Sequence, residues 1–220
     1  MKTLINASKI LLLSLLMLFA SCKKDKPSID VDIMQHYIAG KFTQLQSPQE
    51  PFALIPISAN KAIFVSVNGK LEVDYTFEKN KFTTSINGNA LSCNVNNGII
   101  ENIAVISNTL GIPEAVLSKK EDAELSLVGK RFEAPLNRLD NGAVLFDNYY
   151  FRFNADAAQF NYSGNPTSGN YLVTTKTYEK LADGCFYDKQ AIAFGVMLNN
   201  KLEITAKIGT NYTLFSGTKK

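Results

Sequence analysis

The feature that most constrains the fold is an alternation of apolar and polar residues with a period of two. Residues 71–78 read LEVDYTFE, in which the odd positions are apolar and the even positions are polar or acidic. Side chains alternate between the two faces of a β-strand, so this segment predicts a strand with one buried and one solvated face. Similar segments recur along the chain, separated by turn signals such as Asn87-Gly88 and Asn97-Gly98. We therefore expect an all-β fold, an antiparallel meander closed as small barrels or packed as a sandwich.

Two hairpins predict the strand register if each strand keeps a single apolar face. In IFVSVNGKLEV, a three-residue loop NGK pairs Val65 with Val73. In FGVMLNNKLEI, a loop NNK pairs Val196 with Ile204. Both registers place apolar side chains opposite each other and charged side chains toward solvent.

Two short helical turns are expected at about residues 30–38 and 119–127, and a Gly-Lys pair follows each of them. This recurrence favours two tandem β units, which we place at residues 30–118 and 119–220. A single larger sandwich is the alternative. Either arrangement has about 190 residues, enough to bury a core.

The amino terminus reads as an export signal. Lys2 and Lys9 precede ILLLSLLMLFA, an apolar run shorter than the roughly 20 residues of a membrane-spanning helix. Residues 1–21 are therefore expected to be a signal peptide. Residues 22–29 contain CKKDK and little apolar content, so they are expected to be a flexible tether.

The end of the apolar run, LFASC, resembles a bacterial lipobox with Cys22 as the lipidated residue, and SCKKDK resembles the start of Bacteroidota-type lipoproteins. The resemblance implies that acyl chains on Cys22 anchor the mature chain in the outer membrane. Whether the protein faces the periplasm or the cell surface stays open.

Gly40-Lys41-Phe42, before a β meander, resembles the start of lipocalin-like domains in lipoproteins of this bacterial group, and Phe132 follows the second Gly-Lys pair in a similar way. The resemblance implies a barrel with an apolar interior that can hold a small ligand.

Charge and histidine content exclude several functions. Of 23 basic and 20 acidic residues, removing five lysines and one aspartate of the leader and tether leaves 18 and 19, a balance that predicts no nucleic-acid partner. His36 is the only histidine, and we interpret it as a capping or surface residue. Neither a metal-ligand cluster nor a cofactor motif is present, so we expect no metal, no cofactor and no catalytic activity.

Beyond Cys22 the chain has Cys93 and Cys185. An exported chain can keep a disulfide, so these two could form one bridge between the two halves. Two buried free thiols are the alternative.

Two segments could contact a ligand. Residues 163–170 read SGNPTSGN, a small polar loop in which Asn165 and Asn170 are candidate contacts, although its length and composition favour a plain connector. In the aromatic run that begins at residue 149, the odd positions are expected in the core, while Tyr150 and Arg152 are expected on the opposite face. The first function hypothesis is a binding or accessory module that uses exposed loops or a sheet face. The alternative is a carrier of a small apolar ligand.

Overall fold

The computed structural model describes residues 31–44, 47–107, 110–155, 158–164, 174–188, 190, 193–208 and 211–220. The structure is 73% β-strand and has no α-helix among these residues, which confirms the all-β prediction. The strands form two antiparallel sheets, each of which nearly closes on itself. The prediction of two tandem units is therefore confirmed, and the alternative of one larger sandwich is wrong.

The first sheet, here called the first barrel, contains eight strands. They are β1 (His36–Gln44), β2 (Ser47–Pro56), β3 (Lys61–Ser66), β4 (Gly69–Glu78), β5 (Lys81–Ile86), β6 (Asn89–Asn96), β7 (Ile99–Ile106) and β8 (Leu110–Lys119). Their order is β7-β6-β5-β4-β3-β2-β1-β8, so the last strand pairs with the first. Contacts between β7 and β8 bring the two edges of the sheet together.

The second sheet, the second barrel, contains nine strands. They are β9 (Arg131–Arg138), β10 (Val144–Phe153), β11 (Gln159–Gly164), β12 (Thr174–Thr177), β13 (Glu179–Ala182), β14 (Cys185–Asp188), β15 (Ala193–Leu198), β16 (Lys201–Ile208) and β17 (Asn211–Lys219). Their order is β12-β11-β10-β9-β17-β16-β15-β14-β13. The two edge strands, β12 and β13, are consecutive in the chain and are separated by Tyr178 alone.

Alternation and turn chemistry explain the strands of the first barrel. In β5 every second residue is buried, and these residues are Phe82, Thr84 and Ile86. The Asn87-Gly88 turn that follows has positive φ at both residues, 51° and 81°. Two-residue hairpin turns need this backbone conformation, which asparagine and glycine adopt at low cost.

A third cluster of buried side chains joins the two barrels. Outward-facing residues of the first barrel pack against outward-facing residues of the second, and β15 is buried along its whole length because its other face lines its own barrel. The members from the first barrel are Tyr37, Ala39, Ala53, Ile55 and Val65, and those from the second are Ala182, Cys185, Phe194, Val196 and Leu198.

The barrels also share polar contacts at this junction. The Tyr37 hydroxyl donates to the backbone carbonyl of Asp183 at 2.9 Å, and both groups are buried. The backbone N–H of Asp183 donates to the carbonyl of Lys120, in the segment that connects the barrels. These bonds satisfy backbone groups that the apolar contact would otherwise leave unpaired.

Both predicted hairpin registers are wrong. Ser66 pairs with Gly69 and Ala62 with Val73, so the first turn has two residues instead of three. In the second hairpin Val196 pairs with Glu203. The physical reason is that β3 and β15 are buried on both faces, so the rule of a single apolar face does not apply to them.

The helical turns are shorter than predicted. Within residues 30–38, a single 3₁₀ turn covers Ile33–Gln35, and β1 begins directly after it. Within residues 119–127, the structure has a turn at 123–125 and no helix. The Asp122 side chain bonds locally instead, since its Oδ1 accepts from the backbone N–H of Glu124 at 2.9 Å.

Candidate functional site

One end of the first barrel is closed by the 3₁₀ turn. Ile33 is buried in the barrel core, and the Asp32 carboxylate caps the turn by accepting from the backbone N–H of Met34 at 3.0 Å. The Tyr75 hydroxyl donates to the carbonyl of Ser58 at 2.9 Å near the same end. His36 follows the turn, and its Nδ1 lies 2.8 Å from the carbonyl oxygen of Asp32, the position of a capping residue.

The opposite end of the first barrel contains a cavity of about 160 Å³. It lies beside the β3–β4 and β5–β6 turns, and its lining consists of Phe42, Phe52, Phe64, Ser66, Asn68, Ile86, Asn87, Asn89 and Ile112. The apolar members come mainly from the barrel core, and the polar members come from the turns. This is the arrangement of an apolar pocket with a few polar groups at its rim.

Three phenylalanine rings form the cavity wall. The ring centroids of Phe42, Phe52 and Phe64 are 5.8 to 6.4 Å apart, and the rings are tilted relative to one another. Gly40 permits this packing, because a Cβ at that position would lie 2.8 Å from carbons of the Phe52 ring. The wall therefore presents aromatic faces and edges to the cavity.

The polar rim consists of amides and one hydroxyl. The Asn89 amide donates to the carbonyl of Ile86 at 3.3 Å, and the Ser66 hydroxyl oxygen accepts from the backbone N–H of Asn68 at 3.2 Å. Asn87 has a φ of 51° in its turn. These groups can form hydrogen bonds with a neutral polar part of a ligand.

Glu50 is a buried carboxyl group on the inward face of the same barrel. It pairs across the sheet with Phe42, and it shares a face of β2 with the core residues Phe52 and Leu54. Glu50 is 8% exposed, and its Oε2 has no hydrogen-bond partner. Burial raises the pKa of this carboxyl group, because desolvation disfavours the charged form.

In the part of the second barrel that the structure describes, the interior is packed with side chains. Its interior is dominated by aromatic rings, with the Phe151 and Phe215 centroids 4.8 Å apart and those of Phe153 and Phe186 5.2 Å apart. A cavity of about 30 Å³ beside Tyr149 has room for about one water molecule. The prediction that the odd positions of the aromatic run lie in the core is confirmed for Tyr149, Phe151 and Phe153, whereas after the turn the even position Phe160 is buried.

The predicted ligand contacts Tyr150 and Arg152 lie in the second barrel, away from the cavity-bearing barrel. Tyr150 is half-buried on the outer face, where the Arg131 guanidinium carbon lies 4.4 Å from its ring centroid. Arg152 is exposed on the same face, paired with Arg131 across the sheet. The other two candidates, Asn165 and Asn170, and the lipidation candidate Cys22 lie outside the described residues.

Cys93 and Cys185 are both free and buried in the structure, which agrees with the alternative of two buried thiols and not with the possible bridge. Cys93 belongs to the core of the first barrel, whereas Cys185 belongs to the junction between the barrels. Burial raises the pKa of the Cys93 thiol to about 11 and raises that of Cys185 further. Thiols of this kind are unreactive at neutral pH.

Sequence reasoning allowed for a ligand-holding barrel interior, but it identified neither the residues that line the cavity nor Glu50. A signal for Glu50 exists, since it precedes the apolar run PFALIP and the period of two places it with Phe52 and Leu54. The cavity has no comparable signal, because its lining comes from strands as far apart as β1 and β8.

In the part of the chain that the structure describes, no group of three or more histidine, cysteine or acidic side chains could hold a metal ion. No helix among the described residues has both the length and the apolar character needed to cross a membrane. Comparisons with protein-family models, with curated proteins and with solved structures find no match to this chain.

Proposed function

We propose that this chain is a non-catalytic lipoprotein, anchored in the outer membrane through Cys22, and that its first barrel binds a small apolar ligand. The observation that carries the binding role is the contrast between the two barrels. One contains a cavity of about 160 Å³ at its end, and the described interior of the other is packed with phenylalanine and tyrosine rings. Two barrels of similar size and different filling suggest different roles, with the second supporting the first.

The size of the cavity limits the ligand. An apolar cavity of roughly 150 Å³ accepts benzene, whereas pockets for drug-sized molecules usually exceed about 300 Å³. A long acyl chain would not fit inside. A molecule with about six to ten non-hydrogen atoms matches the space, with its apolar part against the phenylalanine wall.

The described lining supports binding without catalysis. Its one hydroxyl, that of Ser66, accepts from the backbone of Asn68, and the lining residues include no imidazole or amine to act as a base. His36 lies by the 3₁₀ turn that closes the other end of the barrel. Its ring forms a hydrogen bond with the backbone carbonyl of Asp32.

The test measures binding of benzene to the purified protein by ligand-observed NMR. Ile112→Phe adds volume in the cavity and should weaken benzene binding at least tenfold. Ile106→Phe is the matched control, because Ile106 is 78% exposed on the same barrel, and it should leave binding unchanged. Absence of benzene binding by the unaltered protein would refute the binding role.

The anchor is tested separately by mass spectrometry of the mature amino terminus. We expect a chain that begins at Cys22 with attached acyl groups. A mature protein that keeps residues 1–21, recovered in the soluble fraction, would refute the anchored lipoprotein.

A second candidate function is an accessory module that contacts another envelope component. Val144, Leu145 and Phe146 are consecutive, and each is more than 40% exposed. They lie where the pairing of β10 with β9 is irregular, so they stand outside the regular barrel wall. Exposed apolar clusters often mark contact surfaces.

This second candidate predicts a specific cross-link in intact cells. Wild-type protein with a photo-reactive group beside residue 145 should form one discrete adduct, and Phe146→Ser should abolish it. Ile99→Ser, which changes a residue 62% exposed on the first barrel, is the control and should leave it intact. Equal amounts of the adduct in Phe146→Ser and Ile99→Ser would show that the exposed cluster at residues 144–146 is not the contact surface.

A further inference from the structure

The charge of the cavity wall bears on the chemistry of the ligand, and the inference drawn from it rests on the proposed binding role of the first barrel. The described lining consists of three phenylalanines, two isoleucines, three asparagines and one serine, and none of these side chains is charged. The carboxyl group of Glu50 is not among them. Burying a charged group without a partner of opposite charge is unfavourable, so this wall favours an uncharged ligand.

Ser66 supplies a hydroxyl group on the inner face of the first barrel. It is the last residue of β3, in which Phe64 packs against the barrel core and Val65 packs in the junction. Side chains alternate along a strand, so Ser66 points inward as Phe64 does. Ser66 is 3% exposed and lines the cavity. A ligand that fills the cavity therefore lies against this side chain.

The Ser66 hydroxyl group has a hydrogen to donate. Its oxygen accepts from the backbone N–H of Asn68 at 3.2 Å, and within the described part of the chain this is the one hydrogen bond of the side chain. A serine hydroxyl group can donate one hydrogen bond in addition to those it accepts. The hydrogen of Ser66 is therefore available to an oxygen atom of a ligand.

The Asn89 amide adds an acceptor to the same lining. Its Nδ2 donates to the backbone carbonyls of Ile86 at 3.3 Å and Asn87 at 3.4 Å. Because both partners are carbonyl oxygens, the amide nitrogen must be the atom that faces them, and Oδ1 stays available as an acceptor. The lining thus offers an uncharged donor and an uncharged acceptor, a combination that suits a hydroxyl group.

We propose that the cavity takes a small uncharged aromatic alcohol, whose ring packs against the three phenylalanine rings and whose hydroxyl oxygen accepts from Ser66. The tilted phenylalanine rings provide the edges and faces that an aromatic ring prefers to contact. The ligand hydroxyl group provides the acceptor for the Ser66 hydrogen. The cavity volume of about 160 Å³ restricts the class to one ring with a short arm, because a cavity of roughly 150 Å³ accepts benzene.

The experiment compares ligands of similar shape and different polarity, with the unaltered protein at neutral pH. Benzyl alcohol, toluene, benzylamine and benzoate are titrated separately, and their dissociation constants are measured by ligand-observed NMR. Benzyl alcohol should bind about fivefold more tightly than toluene, as expected when one neutral hydrogen bond is gained. The two charged compounds should bind at least tenfold more weakly than benzyl alcohol. This comparison needs no variant and therefore does not depend on how a substitution affects folding.

The variant test removes the donor. Ser66→Ala should lower benzyl alcohol affinity about fivefold, to the level of toluene, while toluene affinity stays within about twofold. The toluene measurement also shows whether the cavity survives the substitution. Ser85→Ala is the control, because Ser85 is exposed on β5 of the same barrel and is not a lining residue. It should change neither affinity.

The outcomes separate the alcohol proposal from the binding role of the barrel. Equal binding of benzyl alcohol and toluene, or a benzyl alcohol affinity that Ser66→Ala leaves unchanged beside intact toluene binding, would overturn the alcohol proposal and leave the cavity as an apolar site. Benzylamine or benzoate that binds as tightly as benzyl alcohol would also overturn it. Binding of none of the four compounds would overturn both.

Discussion

The Lys41 ammonium of the first barrel lies 2.9 Å from carboxylate oxygen Oε1 of Glu203 in the second barrel. The Glu203 side chain is 2% exposed, and the Ser216 hydroxyl donates to the same oxygen at 2.7 Å. Lys41 also lies 3.8 Å from a carboxylate oxygen of Glu114 in its own barrel. An ion pair thus joins the barrels beside a contact that is otherwise mainly apolar.

We expect Lys41→Met to destabilise the protein strongly. The change leaves the Glu203 carboxylate buried without a cation, and breaking a buried ion pair on one side costs about 3–5 kcal/mol. The free energy of unfolding from urea titration, with the denaturant dependence checked for a single transition, measures the effect. The double variant Lys41→Met with Glu203→Leu should recover much of the loss, because no charge is then left unpaired.

The matched control for this prediction is Lys61→Met. Lys61 lies 2.8 Å from Asp74 and 3.3 Å from Glu72, but all three side chains are at least 40% exposed. Solvent screens such pairs, so the urea midpoint should not move measurably. Equal effects of the two lysine substitutions would mean that the junction pair is solvated in solution.

The alternating pattern predicted strands well where one face meets water. In β4, Val73 and Tyr75 are buried, while Glu72 and Asp74 are exposed, as the sequence LEVDYTFE indicates. Leu71 is an exception, since it is 39% exposed near the turn. Local alternation determines the inward face in such strands, because the opposite face has no competing apolar contact.

The pattern failed where the barrels meet. Phe64 packs against the core of the first barrel, and its neighbour Val65 packs in the junction with the second. A strand that is apolar on both faces no longer reveals its register, since shifting it by one residue exchanges two apolar sets. Contact between distant parts of the chain decides the register there, and no local rule contains that contact.

The position and lining of the cavity could not be predicted for a related reason. Whether a barrel interior is filled depends on the fit of side chains from many strands, such as Phe42 in β1 and Ile112 in β8. The aromatic content of the second barrel did indicate a filled core, and the prediction for Tyr149, Phe151 and Phe153 was correct. Composition thus predicts a filled interior more readily than an empty one.

Gly195→Ala should destabilise the second barrel. A Cβ at Gly195 would lie 2.2 Å from one carbon of the Phe186 ring and 3.0 Å from Cγ1 of Ile204, so the core would have to move. Overpacking of this kind costs about 1–3 kcal/mol. The change should appear as a lower midpoint in urea unfolding followed by tyrosine fluorescence.

Gly111→Ala is the control for that substitution. The nearest atom to its added Cβ would be the Thr43 hydroxyl oxygen at 3.0 Å, the end of a side chain that can rotate away. A much smaller effect is therefore expected. If Gly195→Ala proved no worse than Gly111→Ala, the ring of Phe186 would have to be more mobile than its buried position indicates.

The thiols should be protected in the folded protein and free after unfolding. Cys93 and Cys185 are buried with raised pKa values, so neither should react with Ellman's reagent under native conditions. After denaturation without reductant, two thiols per chain should react, because Cys22 is expected to carry its lipid as a thioether. No reactive thiol would indicate a disulfide, and three would indicate an unmodified Cys22.

Glu50→Gln should stabilise the ligand-free protein at neutral pH. Burial raises the pKa of Glu50 in the folded state above its unfolded value, so the folded state binds more protons at intermediate pH. The carboxyl group therefore lowers stability as the pH rises above about 4.3, and it has no such effect below that value. The gain from glutamine should be roughly 1 kcal/mol at pH 7 and should disappear at low pH.

Urea unfolding of Glu50→Gln and wild type between pH 3 and pH 8 measures this difference, with the exposed Glu78→Gln as a control that should show no such trend. A Glu50→Gln variant that is less stable than wild type at pH 7 would mean that another group of the protein already pairs with this carboxylate.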